Sequence, residues 1–406
     1  MSPPDKTPTT KAQTSNPSSH SWLLALSLIL IACNLRPVFG SLSVVLPEIM
    51  RDTGLSSTGA SMLTTLPILC LGLFSLPTPA LARRFGAERI LLLALLLIAG
   101  GTLLRAMGSL PMLFVSAVLA GAGIAMGNVL LPGLIKRSFA SRVALMMGLY
   151  TLAVCAGASS AAAFTVPMEM HWFDGAWPKA LAVWSALAFF ALLIWAPQAL
   201  RARPMATDAA AHAGSLIRSP LAWQVTFFMG LQSALAYIVM GWLAPILRER
   251  NIDSAMAGYL VATSILMQLI ASLLTPPLAA RLKDQRGFAL ILAMMILAAF
   301  LGLLWGPLGL PMWGWAVLLG LGQGGAFALA LSLIVMRSGN MQVTAQLSAM
   351  AQGWGYVLAA WGPLLVGLLR GMTGSYVPTA WLVIALCVAT AIAGWGAGRN
   401  QLVQHS

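Results

Sequence analysis

Charge is scarce in this chain. Only 8% of its 406 residues are Asp, Glu, Lys or Arg, against roughly a quarter in soluble domains. Acids are the rarest: Asp5, Glu48, Asp52, Glu88, Glu169, Asp174, Asp208, Glu249, Asp253 and Asp284 all read as lying at helix ends, in loops or in tails. The four histidines, His20, His171, His212 and His405, read as outside the helices too. With no His/Asp/Glu/Ser constellation in the apolar interior, an enzyme is not expected. With no embedded carboxylate or imidazole, a central proton relay is not expected either. Cysteine is equally sparse. Cys33, Cys70, Cys155 and Cys387 fall in apolar runs without paired spacing, so they read as small buried hydrophobes, with no disulfide framework, metal site or cofactor. No alternating ten-residue pattern points to an outer-membrane barrel.

What is present is apolar: 59% hydrophobic residues at a mean hydropathy of +0.87. At about twenty residues per crossing, some twelve helices fit. They are expected near 22–46, 58–81, 88–107, 112–135, 143–166, 177–197, 221–246, 255–280, 288–306, 311–336, 343–369 and 377–397. The fold class is therefore an all-α membrane protein. The clearest breaks are 167–175 and 198–220. The expected organisation is a polar, disordered tail (1–20), a six-helix bundle (21–197), a cytoplasmic linker (198–220), a second bundle (221–398) and a short tail (399–406). The first apolar run is too long for a signal-peptide core and no cleavage pattern follows it, so it should be retained.

The formal charge of +13 sits between the apolar runs, which argues against nucleic acid as a partner and for a lipid surface. Segments on the N-terminal side hold sixteen Lys and Arg, whereas opposite segments hold five: Arg51, Lys179, Arg248, Arg250 and Arg370. The positive-inside rule then puts both termini in the cytoplasm of a cell whose inner membrane the chain crosses.

Two arginines remain, Arg36 and Arg105. Arg36 lies inside the first apolar run, where a cation at mid-bilayer costs from about 3 to more than ~10 kcal/mol and usually faces a watery cavity on a substrate path. Pro37 removes the amide that would bond the Cys33 carbonyl, so a kink is expected there. On a helical wheel Arg36 shares a face with Cys33, Gly40 and Ser43, while Asn34 points roughly 200° away. Arg36 is the expected cavity residue, and Asn34 joins it only if the kink rotates one of them. The competing role for Arg36 is to bond the freed carbonyls. Without an embedded counter-ion, a cavity arginine selects an anion, gripping a carboxylate-like or linear group with its fork. Arg105, nearer the end of the third helix, reads as structural or gating.

Corresponding segments recur about two hundred residues apart. Pro79-Ala80-Leu81-Ala82-Arg83-Arg84 matches Pro276-Pro277-Leu278-Ala279-Ala280-Arg281 in the pattern P-x-L-A-x-R, and the fourth and tenth helices each carry G-x-G and end in Arg137-Ser138 and Arg337-Ser338. Two pseudo-symmetric halves of six helices explain this, with a site between them near mid-bilayer. The basic loops carrying Arg83, Arg84 and Arg281 resemble those of the major facilitator superfamily, with Arg83 where the family's pattern has Asp and Glu88 as the candidate substitute.

A narrower resemblance is to the cyanate permease and nitroimidazole exporter family. It rests on Asn34-Leu35-Arg36-Pro37, Leu63-Thr64-Thr65-Leu66-Pro67, Gly101-Thr102-Leu103-Leu104-Arg105, Met229-Gly230-Leu231-Gln232-Ser233 and Leu347-Ser348-Ala349-Met350-Ala351-Gln352 with Gly355-Tyr356. The resemblance implies a secondary transporter for a small anion, such as cyanate or a small organic acid, or else an exporter of small planar neutral or cationic solutes. It also places the eleventh helix at the cavity. Candidate substrate contacts are Arg36, Asn34, Asn128, Tyr150, Gln232, Tyr237, Gln323, Gln352 and Tyr356; the amides and phenols also suit plain cross-helix bonds. Trp242, Trp354 and Trp361 suit either stacking on a planar ligand or interface anchoring. Arg105, Arg83, Arg84, Arg281 and Glu48 are the gating or structural candidates. Glu48 or the substrate itself is left to carry any coupled proton, and a monomer is expected.

Overall fold

The computed structural model describes residues 20–201, 216–339 and 341–403. Residues 1–19 of the expected disordered tail, most of the linker 198–220 and the end of the final tail lie outside the described residues. Among those described there are helices and no strands. Twelve helices are long and apolar enough to cross a membrane: Trp22–Val44, Ser57–Ser75, Ala87–Met107, Leu110–Ser138, Leu145–Trp172, Trp177–Leu200, Pro220–Glu249, Ser254–Arg281, Arg286–Trp305, Leu310–Met336, Gln346–Thr373 and Val377–Ala397. They are the first to twelfth spans below. Large side chains such as Leu193, Trp381 and Ile392 stand exposed on the periphery, as a lipid-facing surface requires.

The spans form two six-helix halves, and their related ends are closed by related devices. Where the fourth span ends, Arg137 pairs with Glu88 at the start of the third, whose backbone carbonyl accepts from Trp195 Nε1 at 3.0 Å. Where the tenth ends, buried Arg337 bonds Gln285, the Ala397 carbonyl at 2.9 Å and the Gly398 carbonyl at 3.1 Å. A guanidinium on the last carbonyls of the twelfth span satisfies acceptors that the helix cannot.

Proline marks both agreement and correction. The first span breaks as expected: one helix ends at Cys33, another starts at Pro37, and Arg36 (φ −128°, ψ −17°) caps the second piece. The second span, expected to run to 81, stops at Ser75, and a separate helix Thr78–Phe85 follows. The break expected at 167–175 is wrong in its first half, because the fifth helix runs through Pro167 to Trp172. One missing amide in a long packed helix is tolerated when neighbouring helices hold the backbone. His171 and Glu169 thus belong to that helix's last turn, not to a loop, and His20 opens the first helix.

The halves are joined at and toward the end opposite the termini. Ser159 Oγ donates to the Ala262 carbonyl at 3.1 Å, joining the fifth and eighth spans. Gly367 of the eleventh lies against the Ser57 carbonyl and Ser61 of the second, where any β-carbon would collide. Arg248 at the end of the seventh span reaches Glu48, in the short helix Leu46–Thr53, at 2.6 Å.

Candidate functional site

The site grows out of the break in the first span. Without an amide on Pro37, the chain passes through 3₁₀-type bonds (Asn34 N to the Ile31 carbonyl at 3.0 Å, Leu35 N to the Ala32 carbonyl at 3.1 Å) before the second helical piece begins. The Cys33 carbonyl, deprived of its helical donor, faces Gly157 of the fifth span so closely that a β-carbon there would overlap it. Gly40 packs on the same span at Ala158. Two glycine contacts thus seat the broken helix against the fifth span.

The break sends Arg36 and Asn34 different ways. Asn34 is buried and donates to the Leu30 carbonyl at 2.7 Å and to the Leu187 carbonyl of the sixth span at 3.4 Å. Its amide is spent on packing, which removes it from the group expected around Arg36. Arg36 is half-buried and points across to the other half. Its Nη1 lies 3.5 Å from Tyr237 Oη and 3.7 Å from Met240 Sδ, with the guanidinium carbon 5.6 Å from the Tyr237 ring centroid. Both polar contacts are long, and no acidic residue pairs with Arg36 among the described residues. Tyr150 and Cys155 of the fifth span and Tyr356 of the eleventh are within electrostatic reach of it.

Aromatic rings close one side. Phe39, one turn beyond Arg36, stands 5.7 Å from Tyr237, which meets Tyr356 edge-on at 6.4 Å. Beyond them a cavity of about 10 Å³, the space of one water, is lined by Val38, Phe39, Leu42, Thr64, Pro67, Ile68, Tyr237, Met240 and Gly241. This is a plug between Arg36 and the end where Glu48 meets Arg248.

Other candidates lie apart from this cluster. Gln232 is buried and donates to the Met229 carbonyl at 3.0 Å and to Ser233 Oγ at 2.8 Å. Gln323 accepts from Gln268 at 3.2 Å and donates to the Leu235 carbonyl at 3.3 Å, tying the tenth, eighth and seventh spans together. Gln352 is half-buried and donates to Ser348 Oγ at 2.8 Å. Asn128 is half-buried, with no side-chain hydrogen bond among the described residues. Arg83, Arg84 and Arg281 are exposed on the face of the termini. Trp354 and Trp361 are exposed on the periphery, and Trp242 is fully buried, donating to the Pro363 carbonyl at 3.1 Å. Trp242 is therefore neither an interface anchor nor a stacking surface.

Arg105 is 1% exposed, yet it is the better satisfied of the two arginines. Its Nε donates to Ser116 Oγ at 3.0 Å and both terminal nitrogens reach the Val38 carbonyl at 3.3 Å. It clamps the second piece of the first span from behind. Phe39, Met240 and Cys155 were missed as site residues, although i+3 spacing from Arg36 and from Tyr237 points to the first two. Cys33 and Cys155 are only half-buried, unlike the buried role expected for all four cysteines.

Residues 24–363 match the family model of the Major Facilitator Superfamily. The chain is 40% identical to the uncharacterized transporter YycB of Bacillus subtilis, covering 96% of this chain and 97% of that one. It is 37% identical to the 2-nitroimidazole transporter of Escherichia coli (94% and 97% covered) and 32% identical to the cyanate transport protein CynX of the same organism (90% and 94%). Among solved structures, a mutant of the nucleoside transporter NupG superposes with a TM-score of 0.73 at 15% identity, over 93% of this chain and all of that one.

Proposed function

The chain belongs to the Major Facilitator Superfamily of transporters, and from that membership we propose that it moves a small planar or linear anion, of the cyanate or small carboxylate class, by alternating access around Arg36. One observation carries this reading. Arg36 is a half-buried guanidinium at the break of the first span, between the halves, with no acidic partner among the described residues and only two long polar contacts. A cation in that position gains most from a ligand that brings the missing charge. Its fork offers two parallel donors to a carboxylate-like group. Tyr237 and Tyr356 supply the aromatic wall, and Tyr150 the second hydroxyl within reach. Gln232 is spent on bonds within its own helix and Gln323 on bonds between helices, and Asn128 and Gln352 are the amides left to meet a ligand. The Lys and Arg asymmetry between the two faces supports cytoplasmic termini and an inner-membrane location.

A second reading is export of a small planar neutral compound. The ring cluster of Phe39, Tyr237 and Tyr356 favours it, as does the 37% identity to a protein named for 2-nitroimidazole.

Purified protein in liposomes separates the two. The measurement is flux of cyanate, small carboxylates and 2-nitroimidazole, for wild type beside Arg36→Ala, with and without a proton gradient. Anion flux that drops at least tenfold in Arg36→Ala is the expected result. Flux of the neutral compound alone, indifferent to Arg36, would replace the anion reading with export.

A further inference from the structure

A second recess lies on the flank of the molecule, away from Arg36, and it follows from how the two halves touch. The fifth and eighth spans meet through small groups: Ser159 Oγ donates to the Ala262 carbonyl, and Gly258 sits against the Ala162 carbonyl, where a β-carbon would collide. Backbones pressed together at this seam leave the next stripe of each helix standing apart on the lipid side. On the fifth span that stripe is Ala156, Ser160 and Phe164, and on the eighth it is Tyr259, Thr263 and Leu266, each at the spacing of one helix face. With Trp313 of the tenth span they enclose a crevice of about 420 Å³, within the ~300–1,000 Å³ of small-molecule sites. None of its lining residues is charged, so it does not suit the anion proposed for Arg36.

Polarity is graded along the crevice. The eighth helix starts at Ser254 and the tenth at Leu310, so at 1.5 Å per residue Tyr259 and Trp313 stand within ~8 Å of the end opposite the termini. At that depth Tyr and Trp present their polar tips to the headgroup level. Tyr259 Oη, Trp313 Nε1 and Ser160 Oγ have no hydrogen-bond partner among the described residues, whereas Thr263 is spent on the Tyr259 carbonyl at 2.8 Å. Ala156 and Leu266 form the deeper, apolar end. Phe164 and Leu266 are 55% and 41% exposed, so the mouth opens sideways, toward the hydrocarbon.

We propose that this crevice binds one acyl chain of a phospholipid from the leaflet opposite the termini, its ester carbonyl taken by Tyr259 and Trp313 and its chain laid along Ala156 and Leu266. Lipid hydrocarbon is the solvent of that flank, and an apolar recess left empty forfeits its packing contacts. The ester supplies the acceptor that two donors inside a membrane otherwise lack. The walls come from both halves, so the chain fits only while the fifth and eighth spans touch. Its binding therefore favours the shut end, as any ligand favours the state that holds it better. Neither step depends on what passes Arg36.

The test needs neither substrate nor flux, so it fails independently of the anion reading. The full chain is photolabelled in nanodiscs doped with phosphatidylethanolamine that carries a diazirine in one acyl chain, and mass spectrometry of the digest locates the adducts. Leu103 and Trp381, exposed near the same end of other spans, report ordinary bilayer contact. Adducts on the crevice walls should exceed those at Leu103 and Trp381. They should be lost in Ala163→Trp, which fills the crevice from the fifth span, and reduced in Tyr259→Phe with Trp313→Phe, which removes both donors but keeps aromatic walls. Spin labels on Lys179→Cys and Met372→Cys, exposed on the two halves at this end, in a protein without native cysteines, should show a smaller short-distance population in the double Phe variant than in the parent. Crevice labelling no heavier than at Leu103 and Trp381 would overturn the proposal. If Ala163→Trp does not fold, the double Phe variant decides: labelling and distances equal to the parent's refute the site. Unlabelled walls in a protein that native mass spectrometry shows as a dimer would give the crevice to a second copy of the chain.

Discussion

At the scale of the residue, the two intramembrane arginines divide labour. Arg105 donates to Ser116 and to the Val38 carbonyl, whereas Arg36 has only long contacts to Tyr237 and Met240. Truncating Arg105 strands buried acceptors, so Arg105→Ala should cost about 1–3 kcal/mol, read as a lowered unfolding midpoint in detergent. Arg36→Ala removes a poorly satisfied charge and should leave that midpoint unchanged or raise it while flux is lost, as expected when a site is built for a ligand and not for stability. Arg36→Lys should remain folded but transport poorly, since an ammonium lacks the planar fork; flux near the parent level would show that charge alone suffices. The sequence singled out both positions by their depth. It could not say which was satisfied, because the Val38 carbonyl and Ser116 come near Arg105 only through the packing of three helices. Glu169 escaped for a different reason: reading Pro167 as a helix end turned a buried carboxylate into a loop residue.

At the scale of the element, the site depends on a broken helix. Pro37 ends the first helical piece, and its effect was legible because a charged residue immediately preceded it. Applied alone, the same rule would mislead at Pro67, Pro132 and Pro363, all of which sit inside continuous helices, as expected from their apolar runs. Proline removes one amide in every case, but whether the backbone breaks depends on what neighbouring helices offer the freed carbonyl. Here the neighbour is Gly157, which lets the fifth span come close to the Cys33 carbonyl. Gly157→Ala should push the two spans apart, shift Arg36 and lower both flux and the unfolding midpoint. Gly148→Ala, on the same helix with open space at its β-carbon, should change neither. Equal behaviour of the two variants would mean that the contact at Cys33 does not position the arginine.

At the scale of the whole molecule, internal repetition gave away the twelve spans and their division into halves, because hydropathy and loop motifs are local. The closed end was not legible, since Glu48–Arg248, Ser159–Ala262 and Gly367–Ser61 each join residues about a hundred to three hundred positions apart. If the halves rock about the central site, these contacts must part once in every cycle. A covalent bond across them should then stop transport without touching the site. Ser159→Cys with Ala262→Cys, in a protein lacking its native thiols, places two cysteines where a hydroxyl now meets a carbonyl at 3.1 Å. Oxidation should abolish flux, and a reductant should restore it. Binding of a tight-binding substrate or inhibitor from the face of the termini should survive oxidation, because the cross-link locks the fifth and eighth spans together without touching Arg36. Full flux through protein shown by mass spectrometry to be cross-linked would exclude separation of the fifth and eighth spans as part of the cycle, and with it the rocking of one half against the other.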